Sequence, residues 1–136
     1  MKEFIWPVRV YYEDTDSGGV VYYANYLKFM ERARSEWLRS LGFEQDELAR
    51  SLGVLFVVRA VTMNFCKPGR FNELLNVSVK VAERGKATLS FEQNVMNSMD
   101  NAVLCSGRVK LACVDAATWN PRPVPAPILT EISRDH

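Results

Sequence analysis

The chain has 136 residues, 48% of them hydrophobic, and its 17 basic and 16 acidic side chains leave a formal charge of +1. That length supports one ordinary hydrophobic core, so a single domain over residues 1–136 is expected. The near-neutral balance excludes a broad electrostatic footprint for nucleic acid or an anionic membrane, and the longest apolar run, Val54–Val58, is stopped by Arg59, far short of a membrane span.

Met1 to Pro7 lacks the apolar core of a secretory signal, so a cytoplasmic location is expected. Cys66, Cys105 and Cys113 are odd in number, have no metal-ligand spacing and fall where strands are expected; they read as small buried hydrophobes in a reducing compartment. The only histidine is His136, the last residue. A chain end rarely builds a catalytic centre, so Ser-His-Asp, Cys-His and histidine-ligated zinc chemistry all fall away together. No metal and no cofactor is expected. An enzyme built from this chain must work with carboxylates and backbone.

Ile5 to Tyr12 mixes β-branched and aromatic residues and predicts a first strand, ended by an acidic, glycine-containing turn. From about Ala24 the period becomes helical: Tyr26, Phe29, Met30, Ala33, Trp37 and Leu41 form a stripe, charged residues including Glu31, Arg32 and Arg34 fill the other faces, and Gly42 supplies a stop. Glu44 to Leu52 predicts a short second helix closed by Gly53. Leu55 to Phe65 is apolar on both faces apart from Arg59, which predicts a well-covered strand. After Lys67-Pro68-Gly69-Arg70, the alternation from Leu75 to Val81, the turn Arg84-Gly85-Lys86 and the run Leu89 to Val95 predict an antiparallel pair. Val103 to Cys113 is the last long strand. The proline-rich tail Asn120–Pro127 predicts an extended strap with at most a frayed turn of helix beyond it. One long helix followed by strands joined by short turns is an α+β pattern, with the helix on one face of an antiparallel sheet; the exposed edges of such a sheet favour pairing with another copy.

The most informative segment is Glu13-Asp14-Thr15-Asp16-Ser17-Gly18-Gly19-Val20-Val21-Tyr22-Tyr23-Ala24-Asn25-Tyr26. It sets carboxylates and two glycines at the entry to the long helix, where unpaired N–H groups and the positive end of the helix dipole suit a developing oxyanion. Taken singly, Asp16 equally suits an Asx-turn or a cap, and Gly18 and Gly19 suit a tight turn. Asp14 reads as a turn former, Asn25 as a brace or cap of the helix start, and Glu31 as a solvated or ion-paired helix residue with Arg34 at i+3 and Arg32 alongside. Arg59, Lys67, Arg70, Arg84 and Lys86 each read as solvated charge, with phosphate binding the alternative.

The run Val8 to Tyr26, together with Glu31-Arg32-Ala33-Arg34, Phe56-Val57-Val58-Arg59, Pro68-Gly69-Arg70-Phe71 and Cys113-Val114-Asp115, resembles the 4-hydroxybenzoyl-CoA thioesterase family, and especially its YbgC-type branch. The likeness runs nearly end to end. It implies a hot-dog fold, an antiparallel sheet wrapped around one long helix, and hydrolysis of acyl-CoA thioesters at a site between subunits of a homodimer or homotetramer. It places the catalytic carboxylate on Asp16 and the carbonyl-polarising backbone N–H on Tyr23, where many YbgC-type members carry histidine; the role belongs to the backbone, so the side chain can vary. Gly18, Gly19, Val20, Tyr22 and Asn25 are the implied substrate-binding neighbours. The carrier is coenzyme A or acyl carrier protein, and neither acyl length nor the choice between a general-base and a nucleophilic Asp16 is legible. Two rivals share the architecture: a dehydratase of carrier-bound acyl chains, which wants a histidine this chain lacks, and a non-catalytic acyl-carrier-binding or Tol-Pal envelope-associated interaction module.

Overall fold

The computed structural model describes residues 3–134; His136 and the first two residues lie outside them. Five strands, β1 (Phe4–Arg9), β2 (Val54–Phe65), β3 (Leu74–Arg84), β4 (Thr88–Asn97) and β5 (Val103–Asp115), form one sheet in the order β1-β3-β4-β5-β2. Every pairing is antiparallel. Between β1 and β2 run the helices α1 (Asn25–Ser40) and α2 (Gln45–Ser51). Leu75, Val77 and Val79 of β3 and Phe91 and Val95 of β4 alternate onto one face and meet the α1 stripe of Tyr26, Phe29, Met30, Ala33 and Trp37, all buried. The sheet and α1 bury each other's apolar face, which is why neither pattern needs a second layer.

Three expectations change. The first strand stops at Arg9, because the backbone tightens into a 3-10 turn over Tyr12–Asp14. The residue run from Val58 to Thr62 is exposed, not covered. β2 is an edge strand, so its doubly apolar pattern faces outward as far as this single chain goes. The tail does more than fray: after the strap, Ala126–Arg134 forms a regular helix, α3, that buries Ile128 and Ile132. β5 passes into the strap through a turn in which the Asp115 carboxylate accepts the N–H groups of Ala117 and Thr118 and the Arg122 guanidinium.

Arg34, expected on a solvated face, is only 8% exposed and donates to the Gln93 side chain on β4 at 2.8 Å. Gln93 in turn donates to the carbonyls of Met30 and Ser78, which ties α1 to the middle of the sheet. Burial pulls the guanidinium down to about 10, partly offset by the nearby Glu31. Glu31 is exposed, in keeping with its solvated reading, and accepts a hydrogen bond from the Ser35 hydroxyl, while Arg34 turns inward onto a neutral amide. Among the described residues no helix is long and apolar enough to cross a membrane.

Candidate active site

The acidic turn is a small hairpin in its own right. Asp16 N–H donates to the Val20 carbonyl at 2.9 Å, Gly19 N–H to the Asp16 carbonyl at 3.1 Å, and Thr15 bridges Val21. Gly19 has φ of 78°, a left-handed conformation that a side chain would resist. Asp16 lies at the exposed tip, and its Oδ1 accepts the Gly18 N–H at 2.8 Å, an Asx-turn. The turn therefore fixes one carboxylate oxygen and leaves Oδ2 without a donor among the described residues. Capping and chemistry do not compete here, since each can use a different oxygen.

Behind the tip, the Asp14 carbonyl accepts both the Tyr22 N–H at 2.8 Å and the Asn25 side-chain amide at 2.9 Å. Asn25 is buried and braces the helix start from inside, while the Asp14 carboxylate accepts the Tyr11 N–H and closes the 3-10 turn. No side chain caps α1. The N–H groups of Asn25, Tyr26 and Leu27 turn back onto the carbonyls of Tyr22, Tyr23 and Ala24. Those of Tyr23 and Ala24 donate to no acceptor among the described residues. An uncapped helix start with two adjacent free N–H groups is the arrangement an oxyanion needs. The family resemblance implies a role for the Tyr23 N–H alone; the Ala24 side chain carries no chemistry of its own, and its amide emerges only from the local backbone path.

A cleft of about 280 Å³ is bordered by Val21, Tyr23, Tyr26, Phe65, Cys66 and Lys67. Phe65 of β2 meets the rings of Tyr23 and Tyr26, each at a centroid distance of 5.9 Å, and gives the cleft an apolar wall. Gly18, Gly19 and Val20 form the hairpin tip, and the exposed Tyr22 ring tilts against Tyr23 at 4.9 Å. Of the basic candidates, Lys67 borders the cleft and Arg70 bridges Val20. Arg84 and Lys86 lie at the β3–β4 hairpin, ten residues of strand from Leu74, and Arg84 donates to Ser133. They belong to the far end of the sheet.

Cys66 is exposed at the cleft, whereas Cys105 and Cys113 are buried as expected. Burial pushes the Cys105 thiol up to about 12 and raises Cys113 as well. One thiol of the folded protein should therefore react within minutes with an alkylating or disulfide reagent at neutral pH, and the other two only after denaturation. Thiol titration before and after unfolding checks this, and two fast thiols would contradict the burial.

The model of the thioesterase superfamily matches residues 18–103. The chain belongs to the thioesterase superfamily. It is a YbgC-type member: it is 46% identical over 118 residues to the acyl-CoA thioesterase YbgC of Haemophilus influenzae, covering 87% of this chain and 85% of the relative. It is 41% identical over 131 residues to the acyl-CoA thioester hydrolase YbgC of Escherichia coli O157:H7, covering 96% of each. The crystal structure of a probable thioesterase from Bartonella henselae aligns with a TM-score of 0.86 at 34% identity, over 91% of this chain and all of the other. The sheet around α1 is the hot-dog fold of that superfamily, and the matched stretch of the superfamily includes the hairpin tip from Gly18 onward, the start of α1 and the cleft wall.

Proposed function

We propose that this chain hydrolyses acyl-CoA thioesters to the free acid and coenzyme A, with Asp16 as the acting carboxylate and the Tyr23 N–H as oxyanion donor. One observation carries the reading: a carboxylate with one oxygen pinned and, among the described residues, one free stands on the turn that leads into an uncapped helix start, where the Tyr23 and Ala24 amides donate to none of the described residues. The names of the YbgC relatives support the substrate class.

In the reaction, Oδ2 of Asp16 either takes a proton from water as it attacks the carbonyl carbon or attacks that carbon itself, forming a mixed anhydride that water then cleaves. Either way the carbonyl oxygen becomes negative. The Tyr23 N–H, with Ala24 beside it and the helix dipole behind it, stabilises that charge by roughly 3 kcal/mol for one well-placed donor. The sulfur leaves as the coenzyme A thiolate and takes up a proton.

The working unit is a homodimer or a tetramer built from dimers. Val58, Val61 and Phe65 on the β2 edge are 53%, 40% and 53% exposed, and a groove of about 380 Å³ between α1 and this strand is lined by Leu27, Val58, Val61 and Val109 beside Lys28 and Arg34. An apolar edge of this kind asks to be paired, and a site between subunits, as the family resemblance implies, agrees with that. Three unpaired cysteines fit a cytoplasmic location.

Thiol release from short, long and aromatic acyl-CoA substrates, with the same acyl groups on acyl carrier protein, tests the activity and ranks the carriers. Release from at least one thioester is expected. Silence across the panel would leave the interaction module as the better reading.

A further inference from the structure

We propose that the Tyr26 hydroxyl is a positioning residue for this hydrolysis, locking the Asp16 hairpin to the start of α1 through the backbone of Gly69; the proposal rests on the roles given above to Asp16 and Tyr23. Tyr26 sits in the first turn of α1, is 3% exposed, and packs its ring against Phe29 and Phe65. A phenylalanine would fill that space equally well. The hydroxyl oxygen instead accepts the Gly69 N–H at 3.0 Å, outside the helix, from the segment between β2 and β3.

That segment is stitched to the acidic hairpin as a third short strand. The Val21 N–H donates to the Gly69 carbonyl at 2.8 Å, the Phe71 N–H donates to the Gly19 carbonyl at 3.3 Å, and Val20 bridges Arg70. Across the hairpin, the Asp16 N–H reaches the Val20 carbonyl. At the other end, the Tyr26 N–H donates to the carbonyl of Tyr23 itself. A single side-chain oxygen thus joins the element that carries the free amide to the one that carries the carboxylate. The approach is tight: a Cβ at Gly69 would meet Val21 Cγ2 at 3.0 Å and the Tyr26 hydroxyl at 3.2 Å, so an alanine there presses on the hydroxyl that accepts the bond. Catalytic groups must be held to within a fraction of an ångström of their working geometry, and a buried hydrogen bond between the elements that carry them is a direct way to hold them.

The test is steady-state hydrolysis of an acyl-CoA that the wild type cleaves, alongside thermal unfolding, for Tyr26→Phe, Gly69→Ala, Asp16→Asn and the double variant Asp16→Asn/Tyr26→Phe. Tyr26→Phe is expected to lower kcat about tenfold with KM within about twofold, and to shift the melting temperature by only a few degrees. Gly69→Ala should show the same split from the other side of the hydrogen bond. The double variant should be no slower than Asp16→Asn, since a residue that acts through another adds nothing once that one is gone. Unchanged kcat in both Tyr26→Phe and Gly69→Ala overturns the clamp and leaves the hydrolysis reading standing, as does a loss confined to melting temperature. Full turnover by Asp16→Asn overturns the catalytic reading, and the clamp with it.

Discussion

Asp16→Asn is expected to lose acyl-CoA hydrolysis by about a hundredfold or more while staying folded and oligomeric. The substitution is informative because of what it preserves. The asparagine oxygen can still accept the Gly18 N–H, so the Asx-turn, the Gly19 conformation and the hairpin bonds all survive. What disappears is the negative charge, including that on the oxygen to which none of the described residues donates, and with it both available roles: an amide neither deprotonates water at neutral pH nor attacks a thioester carbonyl. Turnover and far-ultraviolet dichroism measured on the same preparation separate chemistry from folding. Undiminished turnover would remove Asp16 from the mechanism.

Val61→Asp on the β2 edge is expected to produce a folded monomer at micromolar concentration, with hydrolysis down at least about tenfold. Val61 is 40% exposed in the single chain, so the new carboxylate costs the isolated fold little. In a two-fold pairing of β2 edges, however, each copy brings its own charge to a desolvated strip alongside Val58 and Leu27, and like charges there cost several kcal/mol. Light scattering reads the mass and the thiol assay reads the activity. A fully active monomer would show that one chain holds a complete site.

Most of the fold was legible because its patterns are long and internally consistent. The α1 stripe from Tyr26 to Trp37 and the alternation of Leu75, Val77 and Val79 each fix an element and its buried face. The failures share a cause. β2 is apolar on both faces, which within one chain signals a covered strand; the sequence cannot say whether the cover comes from the same molecule. Arg34 reads as solvated because its helical position flanks the stripe, and only the location of Gln93, fifty-nine residues away, shows where its guanidinium goes. Cys66 follows directly on a strand that ends at Phe65, so a thiol expected inside lies outside.

The candidate site divides in the same way. Asp16, its glycines and Tyr23 lie within one short segment of the chain; the acidic, glycine-containing turn draws notice to the first of these, and the family resemblance to Tyr23. The clamp is long-range: nothing near Tyr26 in sequence indicates that its hydroxyl meets Gly69, forty-three residues on. The free Ala24 amide likewise follows from a backbone turn at Tyr22–Asn25 and from the absence of any capping side chain.

The most direct test of the central claim is a structure of the protein bound to a non-hydrolysable acyl-CoA analogue in which an amide or ketone replaces the thioester. The acyl carbonyl oxygen is expected about 3 Å from the Tyr23 N–H, with the Asp16 carboxylate facing the same carbonyl carbon, directly or through one water. A carbonyl seated elsewhere, with Asp16 turned away from it, would overturn the proposed hydrolysis at this site.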